Sequence, residues 1–490
     1  MKNFSRAAFV AAFAFSLSGA GCVTEPTKTT TDTTATNTNT TVSTAASPTV
    51  SLTASPTISP TPVNASNMGL PVTLPVIDAF FAADETFAAD LTRRLQLTDA
   101  QVDNLRTIAR VEKEKLREAE IGEYQGSTAN AQTLALNRIK EAIGEAKAQQ
   151  FAEFVRERWS TGGEGSEAAA IVTGNTTPNA VPTDTRIVVN APAYRMDVFK
   201  DGQLTKSYKV GIGYPEFPLP TGLRKATTII YNPTWTPPDE PWVEGSNEVK
   251  AGQMVAAGSK LNPLGPVKIP IGSPSLIHGG KTPAKLGSFA SHGCVGLTDP
   301  QVLELSRVIA DISGTELTDE DVAAYTKVKT ETKNVKLTQQ IPVELRYETI
   351  VVEDGKLHIY RDVYDRDTNT EDNLRRVLEA HGVQFDQLSE PKRAQVMTAL
   401  QRMARDAQGN PMDAAASPSP PPSFSPTASS NKNANNSGDR VTRTVKGQKE
   451  IVIEIAALKG KGYPAPVNLN TGSAQNKRAT ASSAQAGKRR

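Results

Sequence analysis

Apolar residues recur at two different periods along this chain, and the switches between them divide it. From Ile77 to Trp159 the spacing is helical. Val102, Leu105, Ile108, Ala109 and Leu116 make one stripe, and Leu134, Ile139, Ile143, Phe151, Phe154, Val155 and Trp159 make another. Thr98-Asp99-Ala100-Gln101 has the form of a capping box and predicts a helix start. The stripes read as core-facing. Beyond Arg186 strand signals take over: Ala193 to Phe199 alternates, Asp201-Gly202 predicts a tight turn, and Thr205 to Gly211 returns. Val343, Leu345, Tyr347, Thr349 and Val351 alternate again, and Asp354-Gly355 turns the chain into Leu357, Ile359 and Arg361. Glu371 to Ala407 is helical, and Lys449 to Ile455 alternates as a late strand whose sheet the pattern does not assign.

Between these blocks the composition cannot bury a core. Residues 23–76 are dominated by Thr, Ser, Pro and Asn and read as a flexible tether; 161–185 and 409–440 read as disordered linkers. The remaining divisions are a leader at 1–22, a helical region at 77–160, a strand-rich domain at 186–365, a helical segment at 366–408, and a short strand with a basic tail at 441–490. In the leader, Lys2 and Arg6 precede the apolar run Ala7 to Leu17, and small residues lead to Cys22, the pattern of an export signal. Cys22 has the context of a lipidation site, although Gly19 stands where an aliphatic residue is usual. Lipidation would also keep Cys22 from pairing with the second cysteine in an oxidising compartment. A tether of some fifty residues would then reach roughly 40 Å from the membrane.

The charge balance of 54 basic against 52 acidic side chains gives no reason to expect nucleic acid as a partner. The chemistry concentrates elsewhere. The chain has four histidines and two cysteines, and seventeen residues hold two of the former and one of the latter: His278 beside Gly279, then Ser291-His292-Gly293-Cys294. A free thiol has a pKa near ~8.5, so a nucleophilic cysteine needs an imidazole or donors to hold its thiolate. Glycine-containing turns add backbone N–H groups for an oxyanion. Spacing alone does not choose between His278 and His292 as the base. His358 and His381 read as ordinary structural residues.

The stretch from Leu276 to Asp299 resembles the active-site segment of the L,D-transpeptidases of the YkuD type, which crosslink bacterial peptidoglycan. The hairpin at Ala193 to Gly211, the run Asn232 to Pro238 and Asn262-Pro263-Leu264-Gly265 are also similar to segments of that family. The resemblance implies a mixed-β L,D-transpeptidase-like catalytic domain, flanked here by small α-helical regions. It implies acyl transfer without cofactor or metal, with peptidoglycan stem peptides as partners; the leader and the context of Cys22 imply the cell envelope or periplasm as the location, a lipid anchor holding the protein to its membrane. On that resemblance Cys294 is the nucleophile and His278 the base, with the Gly279 carbonyl fixing its tautomer. Ser291 and His292 shape the substrate side, and Gly293 and Cys294 supply oxyanion N–H groups. The family usually carries Arg or Asn where this chain has Gly296, which bears on donor preference. A hydrolase using the same thioester and a non-catalytic wall-binding lipoprotein are the alternatives.

Overall fold

The computed structural model describes residues 69–118, 127–162, 177–237, 249–250, 252–407, 409, 411 and 445–469. Cys22, the leader, almost all of the expected tether and most of the two expected linkers lie outside them. The helical region forms α1 (Leu74–Ala83), α2 (Phe87–Leu95), α3 (Asp99–Glu118), α4 (Thr128–Ile143) and α5 (Glu145–Thr161). The predicted capping box is present: Thr98 Oγ1 accepts the Gln101 N–H at 3.2 Å, and Gln101 Oε1 accepts the Thr98 N–H at 3.1 Å. Gly144, at φ 82°, ends α4 and redirects the chain into α5. The described side chains of both stripes, Val102 to Ala109 and Leu134 to Trp159, turn inward. Phe80, Phe87, Phe154 and Trp159 meet ring to ring in a shared core, each contributing about 1.5–3 kcal/mol by burial.

The strand-rich region builds an eight-stranded mixed sheet in the order β3-β2-β1-β10-β5-β6-β7-β9. Its strands are β1 (Arg186–Asn190), β2 (Arg195–Lys200), β3 (Gln203–Lys209), β5 (Gly222–Tyr231), β6 (Val267–Pro270), β7 (Leu276–His278), β9 (Val295–Gly296) and β10 (Lys333–Arg346). A separate parallel pair joins β4 (Ile212–Gly213) to β8 (Phe289–Ser291). The β2–β3 turn puts Asp201 at φ 50° and Gly202 at φ 78°, the doubly positive conformation that an Asp-Gly hairpin turn requires. Two helices, α6 (Asp299–Ile312) and α7 (Asp319–Lys327), each begin with a Thr capping box and lead to β10.

The alternation expected to run unbroken from Val343 to Val351 is interrupted. The chain leaves the large sheet after Arg346 and enters a second, antiparallel sheet of β11 (Ile350–Glu353), β12 (Lys356–Tyr360) and β13 (Glu450–Glu454). Side-chain bonding makes the corner: Tyr347 Oη donates to Asp362 Oδ1 and accepts the Tyr364 N–H at 2.7 Å. The late strand thus pairs with β12, Ile451 opposite Ile359. Helices α8 (Glu371–Ala380) and α9 (Glu390–Met403) cover this sheet through Leu374, Val377, Val396 and Leu400.

The helical region is fastened to the strand-rich one at several points. Thr73 and Thr128 hydroxyls donate to the carbonyls of Glu216 and Pro215, both at 2.7 Å, and the Thr128 N–H donates to Asp365 Oδ2 at 3.0 Å. Burial first, then the neighbouring Asp362 charge, pushes the Asp365 carboxyl up to about 8. The folded state therefore holds a proton there that the unfolded chain gives up near pH 4, and stability falls as pH rises between those values. Asp365→Asn keeps an acceptor and tolerates the positive φ of this position. It should raise the melting temperature at pH 8–9 and leave it nearly unchanged at pH 4; an equal shift at both would sink the account.

Candidate active site

The site lies at the β7–β9 end of the large sheet. These strands pair in parallel, Ile277 beside Val295 and His278 beside Gly296. Ile277 and Val295 are fully buried in the core, so the alternation turns His278 to the other face. Cys294, one residue before β9, shares that side by the same parity. His278, Lys281, Ser291, His292 and Cys294 accordingly line one cavity of about 760 Å³, within the range of small-ligand sites.

Cys294 is half-buried and forms no disulfide among the described residues, and its backbone is clamped by Ser291. Ser291 Oγ accepts the Cys294 N–H at 3.0 Å and donates to the Cys294 carbonyl. This differs from the expectation that the Cys294 N–H faces an oxyanion, because Ser291 already occupies it. The Gly293 N–H has no protein acceptor among the described residues and remains the candidate donor. Gly293 makes the turn at φ 89°, where a side chain would be strained.

His278 is buried, and its Nδ1 lies 2.8 Å from the Gly279 carbonyl oxygen. A carbonyl only accepts, so Nδ1 carries the proton and Nε2 holds the lone pair. Burial, aided by the charges of Lys281 and Lys268, pushes the imidazole down to about 3, against the pull of the Gly279 and Leu264 carbonyls. The ring is therefore neutral at neutral pH. His292 is held differently, with its ring edge-on to Phe217 at 4.7 Å and to Tyr214 at 5.1 Å. His358 bonds Glu450 at 2.6 Å and His381 lies 3.4 Å from Asn179, both away from this cavity.

The two flanking runs singled out in the sequence form one wall. Asn262 Nδ2 donates to the Pro233 carbonyl at 2.7 Å, and Trp235 packs with Leu264. Two features were missed from the sequence. Ala79, Ala82 and Ala83 of α1 form part of the cavity lining, so the helical region reaches the site. Lys281 also lines it, thirteen residues before the cysteine.

Residues 184–330 match the sequence profile of the YkuD family, described as the L,D-transpeptidase catalytic domain. Over those residues the chain resembles an L,D-transpeptidase catalytic domain. It is 26% identical over 172 residues to the Bacillus subtilis (strain 168) protein named "Putative L,D-transpeptidase YqjB", covering 34% of this chain and 89% of that protein. Among solved structures, the Ldtfm–avibactam carbamoyl enzyme is similar at 18% identity and TM-score 0.22, over 33% of this chain and 49% of that one. The NMR structure of the catalytic domain from E. faecium L,D-transpeptidase is similar at 17% identity and TM-score 0.23, over 34% of this chain and all of the other. The L,D-transpeptidase match thus spans about half of the first structure. The β11–β13 sheet and the five N-terminal helices lie outside the matched residues.

Proposed function

We propose that this protein crosslinks peptidoglycan stem peptides through a thioester on Cys294. The observation that carries the reading is the opening of Cys294, His278 and Ser291 onto one cavity, with the His278 Nδ1–H committed to Gly279. In the first step the Cys294 sulfur attacks the carbonyl between the third residue of a tetrapeptide stem and its terminal D-Ala. The C–S bond forms and the C–N bond breaks. His278 takes the thiol proton and returns it to the departing D-Ala amine. An amine of a neighbouring stem then attacks the thioester, a new amide forms, and the thiol is regenerated. Dividing the exchange in two replaces one difficult displacement with two easier ones. The Gly293 N–H serves the oxyanion, Ser291 fixes the turn, and His292, wedged between Phe217 and Tyr214, shapes the substrate side.

The protein would do this in the cell envelope, exported by its leader and anchored through a lipid on Cys22. Supplied with a disaccharide tetrapeptide, the purified protein should release D-Ala and yield crosslinked dimers, both detectable by mass spectrometry. Tripeptide without dimer would instead mark a hydrolase, and binding without release a wall-binding module. Expressed with its own N-terminus, it should partition into detergent, and Cys22→Ser should end that partitioning; unchanged partitioning would remove the anchor.

A further inference from the structure

The His278 imidazole is buried and neutral, so it carries no charge to balance a thiolate on Cys294. A positive charge stands elsewhere in the cavity. Lys281 follows His278 by three residues, and its N–H donates to the Leu297 carbonyl at 3.0 Å, which brings the loop after β7 across β9. Its side chain then lies over Gly296. A Cβ built on Gly296 would stand 2.8 Å from Lys281 Cγ and 3.0 Å from Lys281 Cε, closer than side-chain carbons normally approach. The missing side chain at 296 is thus what seats the lysine stem, and Lys281 and Cys294 line the same cavity.

We propose that Lys281 is the cation that stabilises the Cys294 thiolate, with its stem held in the space that Gly296 leaves open. Lys281 keeps its proton throughout; the thiol proton leaves to His278 or to water, and no bond to the lysine forms. Burial lowers the Lys281 pKa while the Cys294 charge acts to raise it, as a paired cation requires. The surrounding groups are consistent with this division. Lys268 on β6 bears electrostatically on His278 and Lys285 on Lys281, and both act against further positive charge. His292 is pinned by Tyr214 and Phe217, and Asp299 at the start of α6 accepts the Gly280 N–H at 2.7 Å.

The inference rests on Cys294 being the nucleophile, and a test that needs no stem peptide keeps it separate from the crosslinking reaction. Iodoacetamide alkylation of the full chain, followed on the Cys294-containing peptide by mass spectrometry across pH 5 to 10, reads the thiolate directly. Lys281→Met keeps the bulk over Gly296 and removes the charge. The alkylation midpoint should rise by about 1 to 3 pH units, the effect of an opposite charge at close range. Lys281→Arg should retain the wild-type midpoint to within a few tenths. An unchanged midpoint in a folded Lys281→Met protein overturns the proposal. So does a Lys281→Arg protein that titrates like Lys281→Met, because shape rather than charge would then be acting. If the midpoint shifts as expected in a protein that forms no dimers, Lys281 keeps its role and the crosslinking reading falls.

Discussion

Cys294→Ala should abolish covalent modification by a carbapenem, a class of β-lactam that typically acylates this family, and should do so without unfolding the protein. Intact-mass spectrometry would show the wild-type chain gaining one adduct and the variant none. On the proposed mechanism Cys294 is the residue acylated, so the loss should exceed about 10³-fold rather than scale the rate. The fold should survive because the turn is built by backbone bonds. Ser291 Oγ grips the N–H and carbonyl of residue 294 whatever its side chain, and the sulfur is only half-buried. A melting temperature within about 2 °C of wild type would be expected for so small a truncation outside the core. An adduct persisting in Cys294→Ala would place the nucleophile elsewhere, and a collapsed fold would leave the thiol a packing role instead.

What the sequence made legible follows from how local each signal is. The Asp201-Gly202 and Asp354-Gly355 turns were readable because their doubly positive φ leaves few residue choices. Thr98 and Gln101 were readable because a capping box closes within four residues. The His278, Ser291 and Cys294 set was readable as a motif, and the parallel β7–β9 pairing is the non-local step that brings it together. Other features had no such signature. Tyr347 fits a strand alternation equally well whether it continues the sheet or bends into Asp362, and only the tertiary partner decides. Ala79, Ala82 and Ala83 have the spacing of any small helix face, so nothing in their pattern separates a packed surface from a cavity wall. Gly296 stood out as a departure from the family, yet its consequence depended on Lys281 crossing β9 from a different loop. The β13 strand found its partner more than eighty residues away, a distance over which alternation carries no register.

His278→Ala should slow carbapenem acylation by about 10²- to 10⁴-fold, the usual worth of a general base, whereas His292→Ala should cost less. The difference comes from what each ring can reach. His278 lines the cavity with its Nδ1–H committed to the Gly279 carbonyl, while His292 is wedged between two aromatic rings. The pH dependence gives a sharper criterion. With its imidazole pushed down to about 3, His278 is already a free base at pH 5, so the acylation profile of the wild-type protein should show no limb near the ordinary histidine pKa of about 6.5. The same shift has a stability consequence. The unfolded chain binds a proton at residue 278 below about pH 6.5 and the folded state declines it until about pH 3, so stability is present above the unfolded value and falls as pH drops through that window. His278→Gln, which does not titrate, should flatten that part of the melting-temperature profile between pH 6.5 and pH 4 while still losing acylation. A limb near 6.5 that disappears in His278→Ala would show that the ring titrates as an exposed imidazole, and a larger loss in His292→Ala would transfer the base to His292.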